Sequence, residues 1–118
     1  DIFVDIEVLE KPDINNSITK IDISSYKNQK GIIGIYNGYS EPNNYIGINA
    51  VGEGQVNVCG ENGNIEIGDL IVTSSIPGKG MKQDDDIVRN ITVAKSRENV
   101  TFSSPTEVKQ IACIYLCG

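Results

Sequence analysis

An all-β fold is what this chain predicts, and three features carry the prediction. Isoleucine and valine dominate its apolar set, aromatics make up 6% and tryptophan is absent, so the core is aliphatic and β-branched, which suits a pleated sheet better than a helix. Several windows alternate apolar and polar residues with a period of two, most clearly Asp1 to Leu9. Twelve glycines, many in Asn-Gly, Gly-Glu and Pro-Gly pairs, supply the turns between such windows. Few windows space apolar residues as a helix does, and no long helix is expected. The expected architecture is a small bent sheet or β-barrel-like domain of roughly eight to ten short strands.

At 118 residues the length fits a single β domain spanning 1–118. Its first strand is Asp1 to Leu9 (DIFVDIEVL), with Ile2, Val4, Ile6 and Val8 on one face. Asp5 and Glu7 share the other face with Phe3 and Leu9, and read as solvated side chains of an edge strand, with a catalytic carboxylate as the alternative. Lys11 to Asn16 is turn chemistry, and Ile18 to Ile23 reads as a second strand. A polar loop, Ser24 to Lys30, leads into the apolar strand Gly31 to Tyr36, whose glycines permit close backbone approach. Residues 37–46 form a variable loop. Its core, Asn37 to Tyr45 (NGYSEPNNY), is rich in turn formers.

The loop residues Tyr39, Asn43, Asn44 and Tyr45 are the candidates for contact with an outside partner. Rings with hydrogen-bonding tips, set among Asn, Ser and Gly, make an adaptable surface, and loops carry recognition. Stacking on a sugar is one reading. Packing of Tyr36, Tyr39 and Tyr45 against a neighbouring subunit or over a barrel end is the other.

Residues 52–95 are the central module, around which the rest is arranged. Gln55 to Cys59 alternates, Gly60 to Asn64 turns the chain, and Leu70 to Ser74 is a compact apolar run. In Ile67-Gly68-Asp69-Leu70, Gly68 accepts a positive φ and Asp69 can bond the amides just beyond it, which makes a tight corner. A second corner follows at Pro77-Gly78, where proline presets φ and glycine takes the left-handed position. Beyond the acidic Gln83 to Asp86, Ile87 to Ala94 reads as a strand, Lys95 to Asn99 as a turn and Val100 to Phe102 as a short strand. Ser103 to Thr106 then turns into a closing strand over 108–116.

The central module resembles a segment found in the C-terminal parts of bacteriophage tail fibres and related trimeric surface appendages. There a G-x-V-x-V-x-G run is followed by GDL-(L/I)-x-TSS-x-PG-x-(A/G)-M-K and then by TV-(A/G)-KA. The matching residues are Gln55, Val56, Val58 and Gly60; then Gly68, Asp69, Leu70, Ile71, Thr73, Ser74, Ser75, Pro77, Gly78, Gly80, Met81 and Lys82; and then Thr92, Val93, Ala94 and Lys95. The resemblance implies a structural and assembly module of a virion appendage that forms a homotrimer, joins other fibre segments and presents loops to a host glycan or receptor. Similar fibre-tip modules are self-cleaving intramolecular chaperones, and a carbohydrate-binding tip is a further alternative. The implied location is the virion, after synthesis in a host cytoplasm. Beginning at Asp1 without a methionine, the chain reads as a fragment or processed product.

The remaining features narrow the chemistry. A net charge of −6 with scattered basic residues argues against a nucleic-acid partner. No apolar run approaches the roughly 20 residues a bilayer span needs, so no membrane insertion is expected. Cys59, Cys113 and Cys117 read as small buried thiols rather than a disulfide framework or a zinc site, given that histidine is absent. The triplet Asp84 to Asp86 lacks the spacing of a calcium loop and reads as a solvated tip. The Asn-x-Ser/Thr triplets at Asn15, Asn90 and Asn99 read as chance. No cofactor, metal or catalytic residue is expected. Pairings of Ser74, Ser75 or Ser96 with Lys79, Lys82 or Lys95 would be the only nucleophile candidates.

Overall fold

The computed structural model describes residues 4–9, 21–40 and 45–118, with the backbone alone for residues 39, 40, 45 and 46. The fold is all-β. Nine strands lie among the described residues: β1 (Ile6–Leu9), β2 (Ile21–Ile23), β3 (Ile32–Ser40), β4 (Tyr45–Asn49), β5 (Val51–Cys59), β6 (Leu70–Thr73), β7 (Gly80–Lys82), β8 (Ala94–Ser96) and β9 (Val108–Leu116). They form a four-stranded sheet in the order β2-β1-β3-β4 and a closed barrel in the order β5-β7-β6-β8-β9. No described helix is long and apolar enough to cross a membrane.

The barrel grows from the alternation of its two longest strands. β5 and β9 pair antiparallel along their whole length, from Val51↔Leu116 to Cys59↔Val108. Val56, Val58, Ile111, Cys113 and Tyr115 point into one core, joined there by Ile65, Ile71, Val93 and Val100. Ile6 and Ile35 of the first sheet, and Val4 just before β1, belong to the same core, so sheet and barrel are packed together rather than merely tethered. In β6, Ile71 enters this core while its neighbour Val72 joins a smaller cluster with Cys59 and Met81, as a period of two requires of a strand buried on both faces. On its other flank the barrel closes sparingly. The parallel contact between β5 and β7 is the single pair Val58↔Gly80.

Several segments depart from the expectation set by pattern alone. β1 is not a solvated edge strand: it lies between β2 and β3, and Asp5 and Glu7 are buried with it. The run Ile87 to Ala94 is strand only from Ala94; Thr92 instead donates its amide to Arg89, and Ile87 and Val88 stay exposed. Val100 contributes one isolated bridge, to Ile65. Within the segment read as a variable loop, β3 continues to Ser40 and β4 starts at Tyr45, so much of it is hairpin ladder.

The turns follow their residue chemistry. Gly78 has φ 79°, and the Lys79 amide donates to the Ile76 carbonyl at 3.1 Å, closing the turn type that takes proline second and glycine third. Gly68 has φ 91°. Asp69 bonds backwards rather than forwards, its carboxylate accepting from the Glu66 amide at 2.8 Å.

Candidate functional site

Two features stand out: a buried polar seam where the first sheet meets the barrel, and an aliphatic stripe on the barrel's outer face. The seam starts at Val4, a β-branched residue held at φ 61°. That region costs a non-glycine residue about 1–3 kcal/mol. The conformation is fixed at both ends, because the Val4 amide donates to Tyr36 at 3.0 Å and its carbonyl accepts from Asn57 at 3.2 Å. Asp5 is thereby turned into the interior at 1% exposure.

The oxygen Oδ1 of Asp5 accepts two side-chain donors, Asn57 Nδ2 at 2.7 Å and Lys79 Nζ at 2.6 Å. Its other oxygen, Oδ2, is buried and has no hydrogen-bond partner. The backbone around the cluster is locked: Ile6 donates to the Gly78 carbonyl at 2.8 Å, and the Gly78 amide reaches the carbonyl and hydroxyl of Ser24. A Cβ on Gly78 would meet the Asp5 carboxyl and the Ile23 side chain at 2.6 Å, so glycine is required here for space as well as for φ. The loop after β2 is pinned to β6, with Gln29 donating to the Thr73 hydroxyl at 2.7 Å and that hydroxyl donating to the Tyr26 carbonyl.

Glu7, two residues along β1, is also nearly buried. Burial, reinforced by Asp22 and then Asp5, pushes its carboxyl up to about 7. Burial likewise pushes the Cys113 thiol up to about 12 and the Cys117 thiol up to about 11, and all three cysteines are unbridged.

The outer stripe follows from the parity of β9. Ile111, Cys113 and Tyr115 point inward, so Val108, Gln110, Ala112, Ile114 and Leu116 point outward. The register sets Val51 beside Leu116 and Glu53 beside Ile114. Val51 is 67% exposed, Val108 41% and Ile114 37%. Charges border these residues: Lys95 pairs with Ile114 in the ladder, and Arg97 lies 3.7 Å from Glu53. Polar residues are interspersed with them: Glu53 is itself exposed, and Gln110, bonded to Gln55, separates Ile114 from Val108.

Of the residues singled out from sequence, Tyr39 pairs with Ile46 and Tyr45 with Ser40 near the end of the β3–β4 hairpin, while Asn43 and Asn44 lie outside the described residues. The serines considered as nucleophiles are engaged elsewhere. Ser74 donates to the Lys79 carbonyl, Ser75 bonds the Glu61 carboxylate and Ser96 donates to the Glu98 carbonyl. Among the acidic tip residues, Asp85 pairs with Arg89 at 2.8 Å, and hydrogen bonds from Arg89 and Gln83 hold its carboxyl down at about 2. No cluster of His, Cys, Asp and Glu suited to a metal occurs among the described residues.

The seam was not foreseen from sequence. Asp5 lies 52 residues from Asn57 and 74 from Lys79, and no local pattern couples them. The available hints were Asn57 set between two inward valines and Lys79 set between two glycines in a tight turn. No family model matches the chain, and no curated relative or solved structure matches it.

Proposed function

We propose that the chain is a structural and assembly module of a phage tail fibre or similar virion appendage, working by self-association into a homotrimer. The observation that carries the association is the set of outward aliphatic residues Val51, Val108 and Ile114, which the chain itself leaves exposed at its longest strand pair, with Leu116 half-buried beside Val51. The aliphatic face of the first strand is spent within the chain, since Val4, Ile6 and Val8 are all buried; the exposed aliphatic residues of β5 and β9 are available to subunits, as are Ile67, Ile87 and Val88 elsewhere on the surface. The threefold number and the virion setting rest on the motif resemblance over residues 52–95. In this reading the end of the β3–β4 hairpin faces other fibre segments or a host glycan.

Absolute mass by light scattering on a sizing column tests the proposal, with a chain extended upstream of Asp1 run beside it on a denaturing gel. A stable trimer from an extended chain that stays intact supports it. A monomer obtained only as a fragment released from the extended chain overturns it in favour of a self-cleaving chaperone.

A further inference from the structure

We infer that Lys79 and Asn57 become joined by an intramolecular amide bond, with Asp5 moving the protons. The inference goes beyond the assembly reading and stands independently of it. Its basis is the convergence of an amine, a carboxamide and a carboxylate inside the protein. Lys79 Nζ and Asn57 Nδ2 sit 2.6 and 2.7 Å from the same Asp5 oxygen, so the nucleophilic amine and the leaving nitrogen of the carboxamide converge on the group that can exchange protons with both. Asp5 is 1% exposed and Asn57 6%, and the Lys79 side chain is 14% exposed, so water has little access.

The step balances without any outside reagent. The Lys79 ammonium, 2.6 Å from Asp5 Oδ1, gives a proton to Asp5 and becomes a neutral amine. Asp5 Oδ2, buried and without a partner, is free to carry that proton. The amine lone pair attacks Asn57 Cγ, and a tetrahedral intermediate forms. Asp5 then returns a proton to Nδ2, the Cγ–Nδ2 bond breaks, and ammonia leaves with the proton that the new amide nitrogen sheds. One C–N bond is made and one is broken, nothing is oxidised or reduced, and Asp5 ends as it began.

The bond would fall where the barrel is weakest. β5 and β7 share only the Val58↔Gly80 pair, against the nine-residue ladder of β5 with β9. Asn57, in β5, and Lys79, the residue just before β7, immediately precede that pair in sequence. A covalent link there reinforces the side that a single ladder pair closes.

High-resolution intact mass of the purified, folded chain, measured after denaturation, reads the bond directly. The expected mass is lower than the sequence mass by one ammonia, and a protease digest yields a branched peptide joining Asn57 to Lys79. Lys79→Arg and Asp5→Ala restore the full mass, and Asn57→Asp loses a water in place of ammonia. A wild-type chain at full sequence mass overturns the inference without reference to any variant. So does an ammonia deficit carried by a linear peptide, which would mark a succinimide at Asn37-Gly38 or Asn62-Gly63, or a branched peptide joining Lys79 to Asp5.

Discussion

The hydroxyl of Tyr115 donates to the carbonyl of Gln55 at 2.5 Å and accepts from the amide of the same residue at 2.8 Å. A side chain of β9 thus bonds both backbone groups of one residue on β5. Its ring fills the space where a Cβ on Gly54 would stand. The two residues form one device: the glycine clears the strand and the phenol seals it from inside the barrel.

Removing that seal is expected to destabilise the barrel. Tyr115→Phe leaves the part-buried Gln55 amide and carbonyl short of a partner and should cost about 1–2 kcal/mol. Gly54→Ala drives a methyl into the ring and should cost about 1–3 kcal/mol as well. Urea titrations followed by circular dichroism check both, with the midpoint falling and the slope unchanged.

Gly78 combines a positive φ with contact against Asp5 and Ile23. Gly78→Ala should therefore cost roughly 2–4 kcal/mol, adding left-handed strain to overpacking. An alanine at Gly63, where φ is 90° and nothing lies within 4 Å, should cost less, about 1–2 kcal/mol from strain alone. The difference between the two midpoints isolates the packing contribution at the seam.

The raised carboxyl of Glu7 makes stability depend on pH. Between an ordinary glutamate value of 4.5 and about 7, the folded chain holds a proton that the unfolded chain has released. Stability from this group is complete below that window and is lost as pH rises through it, by about 3 kcal/mol. Glu7→Gln should flatten the slope between pH 5 and 7 (about the window set by linkage). Denaturation midpoints for both chains across that range decide the matter, and an unchanged slope in the variant would place the titration elsewhere.

Burial and raised titration should protect the thiols. Cys59 and Cys113 are buried, and burial pushes Cys113 up to about 12. Alkylation at neutral pH is expected to be slow in the native chain and complete at all three cysteines once it is unfolded, as peptide mapping would record.

What the sequence made legible was local. The period of two in β5 and β9, the Pro77-Gly78 turn and the Gly68 corner are each written in a few adjacent residues, and the all-β class follows from them. The same pattern misled at β1, because alternation reports which residues share a face and not whether the strand's edges are paired or its second face is covered; β2 and β3 pair with its edges, and the Pro77-Gly78 turn packs against Asp5. It also overran at Ile87 to Ala94, where Thr92 prefers hydrogen bonds to Arg89 and Gln83 over a ladder. The Asp5, Asn57 and Lys79 cluster was illegible since its members meet only through the tertiary fold.

Self-association of the chain depends on whether the outer stripe is a subunit interface. Sedimentation equilibrium of the chain, beside Val51→Glu/Ile114→Glu, tests this most directly, since both positions point away from the barrel core and the double variant should keep its β circular dichroism. The expected result is three times the 12.8 kDa chain mass for the unaltered protein and a monomer for the variant. An unaltered chain that stays monomeric at every concentration, or a variant that associates as well as the parent, would contradict it.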